Sequence, residues 1–264
     1  MDLREINAQY SNRHPWELAR VAALKKILSR VLSDGQETAI LDLGCGDGFA
    51  SREVFKENRQ AKVTCLDIFL TPDQISELKE TCPQFEYETS YQSLGKKSFD
   101  LILMLDVIEH EEDDRALLKR MMDHHLAPGG SIVIFAPAFP LLFGDHDRFL
   151  KHFRRYKRKG LINLVTTTGL EVVSSGYLFF LLLFPRFLSV LLQNILGPAS
   201  FKGKGIGKWD HGRLVTSFFT FLLNIDNTTL LWLNKVQFHL PGLSLWVICR
   251  KPPLLSPVTT KPTA

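Results

Sequence analysis

The sequence predicts an α/β fold, in which a parallel β-sheet carries helices on both faces. Short apolar runs typical of buried strands alternate with helical segments through the first two-thirds of the chain. Three glycines at alternate positions, "GCGDG", follow the first of these runs, where a ligand of such a sheet would bind. The 264 residues suffice for one large domain, or for one domain with an elaboration.

The helices are predicted from apolar periodicity and from capping residues. In "HPWELARVAALKKILSRVL" the apolar residues recur every three or four positions and share one face. "TPDQISELKETC" begins with Thr71 as N-cap, Pro72 at the first helical position and Gln74 three residues after the cap, which is a capping box. "FASREVFKEN" and "DDRALLKRMMDHHL" are further predicted helices.

The strands are predicted from short apolar runs. The first five are, in order, "TAILDL", "AKVTCLDI", "FEYET", "SFDLILMLDVIEH" and "SIVIFAP". The tripeptide "PGG" is expected to turn the chain before the fifth strand. Because helices separate these strands, we expect the strands to be parallel and a ligand to bind at their carboxyl ends.

The composition excludes several classes of protein. A formal net charge of +4 does not indicate a nucleic-acid partner. The cysteines show no metal-binding spacing, so we expect reduced thiols in a cytoplasmic protein and no metal site. "MDLREINAQY" has no apolar segment typical of a signal peptide, and the tail from Pro252 is expected to be disordered.

The glycine-rich turn narrows the choice of ligand. Glycines permit a tight turn and a close approach of the backbone to a ligand, although a turn needed only for packing is the alternative. Three positions after Gly46 stands Phe49, so the dinucleotide pattern G-x-G-x-x-G is not met, and no P-loop pattern is present. The order Asp42-x-Gly44-x-Gly46-x-Gly48 instead resembles the first motif of class I S-adenosylmethionine-dependent methyltransferases.

Three further stretches resemble the same family, in the family's order. Asp67 ends the second strand, where the family's acidic residue binds both ribose hydroxyls. "SFDLILMLDVIEH" looks like the fourth-strand motif, with Asp106 beside the methionine part of the cofactor, and "LAPGGSIVIFAP" resembles the turn before strand five. Where the family often has an Asp for the adenine amino group, this chain has Ser90, which leaves that contact open.

The resemblance covers residues 35–180 and implies a seven-stranded Rossmann-like sheet whose last strand is antiparallel. It also implies methyl transfer as the reaction and S-adenosyl-L-methionine as the cofactor. The cofactor-binding residues that it implies are Asp42, Gly44, Cys45, Gly46, Gly48, Asp67, Ile68, Ser90, Leu105 and Asp106.

The segment after the fifth strand is expected to line the acceptor pocket. "DHDRFLKHFRRY" looks like a tract in a bacterial and archaeal subgroup that includes relatives of the ubiquinone-type O-methyltransferases and enzymes associated with cell-surface glycans and lipids. His146 or His152 can act as general base for an acceptor hydroxyl, and Tyr156 can position the acceptor. The alternative is a solvated basic helix start. His110, in the family's Glu-His pair, is interpreted as structural rather than catalytic.

A long apolar insertion is predicted between the last two strands, "EVVSSGYLFF" and "GLSLWVICRK". Residues 177–241 hold two apolar stretches joined by the basic link "FKGKGIGKWDHGR", whereas a typical hairpin loop has few residues. Pro185 and Arg186 interrupt the first stretch, and "NIDN" interrupts the second. Because strand seven must return to the sheet, the insertion has either no membrane span or an even number of spans.

We interpret the insertion as helices that lie in a membrane interface, with a buried lid or a dimer surface as the alternative. The apolar residues expected at the membrane are Phe179, Phe180 and Leu183. The basic residues expected to face anionic headgroups are Lys202, Lys204, Lys208 and Arg213.

The chain thus divides into a methyltransferase core at 1–176, the insertion at 177–241, a last core strand at 242–251 and a tail at 252–264. The favoured function is O-methylation of a lipid-linked or otherwise amphipathic acceptor, by an enzyme attached peripherally to the cytoplasmic face of a membrane. The alternatives are methylation of a soluble small molecule and a non-catalytic regulator that binds S-adenosylmethionine. The oligomeric state stays open.

Overall fold

The computed structural model describes residues 13–32, 35–196 and 209–253, and it contains a mixed sheet of seven strands. The strands are β1 (Thr38–Leu43), β2 (Ala61–Leu66), β3 (Glu86–Glu88), β4 (Phe99–Leu105), β5 (Leu126–Pro137), β6 (Glu171–Leu178) and β7 (Ser244–Arg250). Their spatial order is β3-β2-β1-β4-β5-β7-β6. The first five strands pair in parallel, and β7 is antiparallel to both β5 and β6. The predicted fold class is therefore confirmed.

Eight α-helices accompany the strands in the described part of the chain, with α1 before β1. They are α1 (Pro15–Leu28), α2 (Phe49–Phe55), α3 (Pro72–Thr81), α4 (Asp114–Arg120), α5 (Asp145–Phe149), α6 (Arg158–Thr166), α7 (Leu183–Leu196) and α8 (Arg213–Lys235). The capping box of α3 is confirmed, because Thr71 accepts from the Gln74 amide and the Gln74 side chain accepts from the Thr71 amide.

The prediction that "PGG" turns the chain before the fifth strand is wrong in detail. β5 begins at Leu126 and includes the tripeptide, with Gly129 at φ +77°. The pairing between β4 and β5 shifts register between Phe99 and Leu101. The two glycines therefore belong to an irregular strand start, where a bulge absorbs the extra residues.

The sheet is buried on both faces, as the continuous apolar strands indicate. In β1, Ile40 belongs to an apolar layer shared with α1 and α8, and its neighbour Leu41 belongs to a second layer shared with α4 and α6. Successive strand residues point to opposite faces, so both layers draw on the same strands. This two-sided core holds the carboxyl ends of β1 to β5 in fixed relation.

The insertion forms α7 and α8, and α8 is fastened to the sheet by polar side chains. Asn227 Oδ1 accepts from the Phe179 amide at 2.9 Å, and Asp226 Oδ2 accepts from the Leu181 amide at 3.2 Å. Leu223, like other residues of α8, joins the apolar layer of α1. The insertion thus shares the core of the sheet.

The predicted membrane-facing residues of the insertion have different outcomes in the structure. Phe179 is fully buried, so the expectation that it lies at a membrane is wrong, whereas Phe180 is exposed. Arg213 is exposed at the first residue of α8. Lys202, Lys204 and Lys208 lie outside the described residues, as does the tail from residue 254.

Candidate active site

The glycine-rich turn lies at the carboxyl end of β1 and is held against β2. The amides of Gly44 and Cys45 both donate to the Leu66 carbonyl, at 2.7 and 3.2 Å. Gly44 has φ +69°, and a Cβ at this position would lie 2.6 Å from Cγ2 of Val107. Since neither the dihedral angle nor the space admits an L side chain, Gly44 is required for the turn to pack against the loop after β4.

Asp67, at the end of β2, is tied to this turn. Its Oδ2 accepts from the Gly46 amide at 2.9 Å, and its Oδ1 accepts from the Phe69 amide at 3.0 Å. A carboxylate offers about four acceptor positions, so lone pairs remain for a diol. Ile68 follows with more than half of its surface exposed, and therefore offers an apolar face beside the carboxylate.

Ser90 lies at the carboxyl end of β3, next in line along the same edge. Its Oγ accepts from the Ser93 amide at 3.3 Å and caps the short helix Tyr91–Leu94. The hydroxyl keeps its hydrogen for donation, which suits a ring nitrogen better than an amino group.

Asp42 is a buried carboxyl beneath the turn. Its Oδ2 accepts from Ser51 Oγ at 2.7 Å, while its Oδ1 has no hydrogen-bond partner in the described part of the chain. Burial raises the pKa of Asp42 to about 6, although the Ser51 hydrogen bond opposes this shift. An acceptor oxygen left without a donor next to a glycine turn fits a ligand that brings a donor group.

Asp106 follows Leu105 at the end of β4 in the left-handed region, with φ +58°. Its amide donates to the Phe135 carbonyl at 3.0 Å, and its Oδ2 forms an ion pair with Arg20 Nη2 at 2.7 Å. A positive φ is uncommon for a residue other than glycine and is typical of functional sites.

Two cations at this edge, Arg20 of α1 and Arg13 just before the helix, were not predicted from the sequence. Arg20 pairs with Asp106, and Arg13 forms an ion pair with Asp47 of the glycine turn while its guanidinium lies 4.2 Å from the ring centre of Phe49. The periodicity of α1 places Arg20 off its apolar face, and nothing in the sequence indicates the partner of either arginine.

The segment after β5 returns to the sheet and is hydrogen-bonded to the turn after β4. The Tyr156 amide donates to the Pro137 carbonyl at 2.9 Å, and the Phe153 amide donates to the Glu109 carbonyl at 2.8 Å. Tyr156 Oη lies 3.1 Å from the Ile108 carbonyl and 2.8 Å from Oδ2 of Asp114. These contacts fix two loops against each other.

The geometry points away from the interpretation of Tyr156 as a residue that positions the acceptor. Its side chain is buried, and its hydroxyl is engaged by Ile108 and Asp114. Burial, together with Asp114, also raises the pKa of Tyr156 well above its usual range. Tyr156 therefore holds the two loops together, and its hydroxyl is not directed at an acceptor.

His152 is oriented by a buried carboxylate. Its Nδ1 lies 3.1 Å from Oδ1 of Asp147, which is fully buried and also accepts from the Gly144 amide, from Arg155 Nε and from Arg186 Nη2. Burial alone would raise the pKa of Asp147, but His152, Arg155 and Arg186 together lower it well below its usual range. Because a carboxylate only accepts, His152 donates from Nδ1, and its Nε2 faces away from Asp147.

His146, the other histidine of this segment, lies in α5 in a cationic environment. Burial, together with Arg186, lowers the pKa of His146 to about 4. Its imidazole is therefore neutral at physiological pH but a weak proton acceptor. Of the two candidate bases, the geometry favours His152.

Glu109 and His110 lie in the short turn after β4, next to His152. The rings of His110 and His152 meet edge to face with centres 4.6 Å apart, and ligand atoms of Glu109, His110 and His152 lie within 4.8 Å of one another. Glu109 is fully buried, and neither of its oxygens has a hydrogen-bond partner in the described ranges. Burial, with the nearby Asp106, raises its pKa well above the usual value. Only the Glu-His pair in the sequence could have drawn attention to Glu109.

The structure thus gathers the predicted cofactor residues along the carboxyl ends of β1 to β4 and places His152 next to the turn after β4. Residues 41–132, from β1 into β5, match a family model described as a methyltransferase domain. Over these residues the chain is similar to a methyltransferase domain. The matched residues include the glycine turn, Asp67, Asp106 and Glu109, but not His152.

Solved structures show the same fold at low sequence identity. The plantazolicin methyltransferase BamL is 16% identical, with 89% of this chain and 86% of that chain covered and a TM-score of 0.55. The N-methyltransferase NodS from Bradyrhizobium japonicum, solved with S-adenosyl-L-homocysteine, is 17% identical, with 92% and 94% covered and a TM-score of 0.51. No curated protein sequence matches the chain.

A third structure limits what the fold alone can establish. The [4+2]-cyclase SpnF is 14% identical, with 93% of this chain and 85% of that chain covered and a TM-score of 0.53. At such identities the likeness concerns the fold. The predicted methyltransferase domain is confirmed over residues 41–132 by the family model. The acceptor has to be argued from the site.

Proposed function

We propose that the protein transfers a methyl group from S-adenosylmethionine to a hydroxyl of an amphipathic or lipid-linked acceptor at a membrane surface. The observation that carries this proposal is the contact between Asp147 and Arg186. Asp147 orients His152 at the acceptor side, and Arg186 belongs to the apolar helix α7. The candidate base and the apolar insertion are therefore parts of one arrangement.

The residues at the carboxyl edge fit the cofactor. Asp67 keeps acceptor positions for the ribose hydroxyls, and the free Oδ1 of Asp42 suits a ligand donor. Ile68 and Ser90 would flank the adenine, while Leu105 and Asp106 would hold the methionine part. When bound, S-adenosylmethionine supplies a methyl group that leaves its sulfonium as an acceptor lone pair attacks, so that the sulfur becomes a thioether.

His152 suits the role of general base for the acceptor hydroxyl. Nδ1 donates to Asp147, so the lone pair of Nε2 is available to take the proton, which then passes to water. The negative charge of Asp147 stabilises the imidazolium formed in this way. Arg155 and Arg186 keep Asp147 ionised, so the orientation of His152 persists over the physiological pH range.

The outer faces of α7 and α8 support an acceptor that comes from a membrane. Phe184 is 73% exposed and Leu214 88% exposed, and further exposed apolar residues are Phe187, Leu188, Ile195, Phe218, Phe221, Ile225 and Trp232. The charged residues within 183–195 and 214–234 are Arg186 and Asp226, and both bond inward. An apolar surface of this extent without charge is unusual in a monomeric soluble protein.

The contacts of α8 favour an interfacial position over a membrane span. Within the described residues, α8 is the helix long and apolar enough to cross a membrane by length and composition. Its inner face, however, packs against α1 and β6, and β7 must return to the sheet. The 14 residues of α7 reach only about 21 Å, less than the hydrocarbon core of about 30 Å.

Cofactor titration and turnover test the proposal. Calorimetry with Asp67→Ala should show a loss of about 2–4 kcal/mol in the binding of S-adenosylmethionine, because two charge-assisted hydrogen bonds are removed. With radiolabelled S-adenosylmethionine and lipid extracts, His152→Ala should lower kcat about 10²- to 10⁴-fold without changing cofactor affinity. His124→Ala, on the exposed end of the turn after α4, is the matched control.

Two results would count against the proposal. Normal binding of S-adenosylmethionine by Asp67→Ala would contradict the cofactor site. Full turnover in both His152→Ala and His146→Ala would mean that transfer needs no histidine base.

A further inference from the structure

We propose that Glu109, His110 and His152 bind a divalent first-row transition-metal ion, with Zn²⁺ as the probe of choice. Their ligand atoms lie within 4.8 Å of one another. Two nitrogens and a carboxylate oxygen form a ligand set that suits zinc, and donor atoms around one tetrahedral zinc ion are about 3.3 Å apart. Small side-chain adjustments therefore suffice to close the three residues on an ion.

The burial of Glu109 is the observation that separates this cluster from an ordinary group of polar residues. Its side chain is fully buried, and both carboxyl oxygens have no hydrogen-bond partner in the described residues. A buried polar group without a partner destabilises a fold, so such groups are rare unless a ligand or ion satisfies them. A cation at this position accounts for a carboxyl group that the protein itself leaves unsatisfied.

The surroundings of His152 are those of a metal ligand as well as those of a base. A metal-bound histidine usually donates its second ring N–H to a carboxylate, which fixes the tautomer and the orientation of the ring. Asp147 accepts from Nδ1 of His152 in this way, and Arg155 Nε and Arg186 Nη2 hold Asp147 in turn. Nε2 is then the nitrogen that reaches the ion.

The backbone around the cluster is fixed from both sides. The Phe153 amide donates to the Glu109 carbonyl, and Tyr156 Oη contacts the Ile108 carbonyl. The ligands Glu109, His110 and His152 lie next to these two contacts in the chain. Rigid positioning of this kind is what a preorganised metal site requires.

A metal ion explains more of the cluster than a general base does. A base requires His152 alone, whereas an ion gives Glu109 and His110 a role as well. Three protein ligands leave a fourth position open, as in catalytic zinc sites, and an acceptor hydroxyl bound there would lose its proton more readily. Because the ion would then occupy Nε2 of His152, the proton would pass directly to water. Only this last step rests on the proposed methyl transfer.

The inference differs from the expectation, drawn from the sequence, that the chain has no metal site. That expectation rested on the spacing of the cysteines. The ligands proposed here are a Glu-His pair after β4 and a histidine after β5, which only the folded chain brings together.

The test is metal binding by the full-length protein, without cofactor or acceptor. After treatment with a chelator and desalting, the protein is titrated with Zn²⁺ by calorimetry and with Co²⁺ by absorption, where tetrahedral Co²⁺ gives intense visible bands. We expect one equivalent of each ion to bind. Glu109→Gln and His152→Ala should weaken binding at least about 100-fold, and Asp147→Asn about 10- to 100-fold.

His124→Ala should bind both ions like the wild type, and circular dichroism confirms that each variant is folded. If Glu109→Gln fails to fold, His110→Ala takes its place. The proposal is overturned if the wild-type protein binds neither ion, or if binding is unchanged in Glu109→Gln and His152→Ala. Turnover that persists in chelator-treated protein without bound ion would leave the methyltransferase proposal standing and would identify His152 as the base alone.

Discussion

At the scale of single residues, Asp42 is a buried carboxyl that opposes the stability of the fold at neutral pH. Its carboxyl is buried beneath the glycine turn, one oxygen has no partner among the described residues, and burial raises its pKa to about 6. The folded state therefore favours the protonated form more than the unfolded state does. The contribution is fully present below the unfolded pKa and is lost as the pH rises through the folded pKa.

We predict that Asp42→Asn is more stable than the wild type at neutral pH and that the difference disappears near pH 4. A shift from 3.8 to about 6 corresponds to at most about 3 kcal/mol in the free energy of unfolding. Urea denaturation at pH 4 and pH 7.5 measures it. Ser51→Ala, which removes the hydroxyl that donates to Asp42, should have the opposite effect at pH 7.5. A pH-independent difference between Asp42→Asn and wild type would contradict the explanation.

At the scale of helices and strands, the sequence predicts local structure well, but it does not predict side-chain contacts between residues that are far apart in the chain. The capping box of α3 involves residues three apart, so the sequence alone reveals it. Arg186 was visible only as an interruption of an apolar stretch, because its partner Asp147 lies 39 positions earlier in the chain. The Glu109 carbonyl likewise accepts from the Phe153 amide, 44 positions later, and no local pattern connects that segment with the turn after β4.

Helix α8 has its polar side chains inward and much of its apolar surface outward. Asn227 connects α8 to the end of β6, since its Oδ1 accepts from the buried Phe179 amide at 2.9 Å. We predict that Asn227→Ala lowers the free energy of unfolding by about 1–3 kcal/mol, because a buried amide loses its acceptor. The exposed Thr229→Ala on the same helix should change it by less than about 0.5 kcal/mol. Equal effects of the two variants in urea denaturation would refute this role of Asn227.

At the scale of the whole molecule, the sheet and the insertion present different surfaces to the surroundings. The apolar core lies on both faces of the sheet, whereas the outer faces of α7 and α8 carry exposed aromatic and aliphatic side chains. Neither outer face is covered by another described element. The sheet and an exposed apolar surface are therefore parts of one folded unit.

Vesicle flotation tests the membrane interpretation. We predict that the wild-type protein floats with anionic vesicles and that high salt releases it only partly, because apolar burial dominates the attachment and each nearby Lys or Arg adds about 1 kcal/mol. Replacing Phe184, Phe187 and Phe218 by Ser should weaken flotation but leave the binding of S-adenosylmethionine unchanged. Val173→Ser, at an exposed apolar position of β6, is the control. A wild-type protein that remains soluble with anionic and neutral vesicles alike would favour a lid or a dimer surface.

The position of β7 affects the order in which the protein can assemble during its synthesis. β7 is the last strand in the chain, yet it lies between β5 and β6, and β6 pairs with no other strand of the described sheet. On the ribosome, α7 and α8 emerge before β7, so the helices are available while β5 still presents an unpaired edge. Such an edge is prone to pair with other chains. Translation therefore includes an interval in which the nascent helices can meet a lipid surface or a chaperone before the last strand closes the sheet.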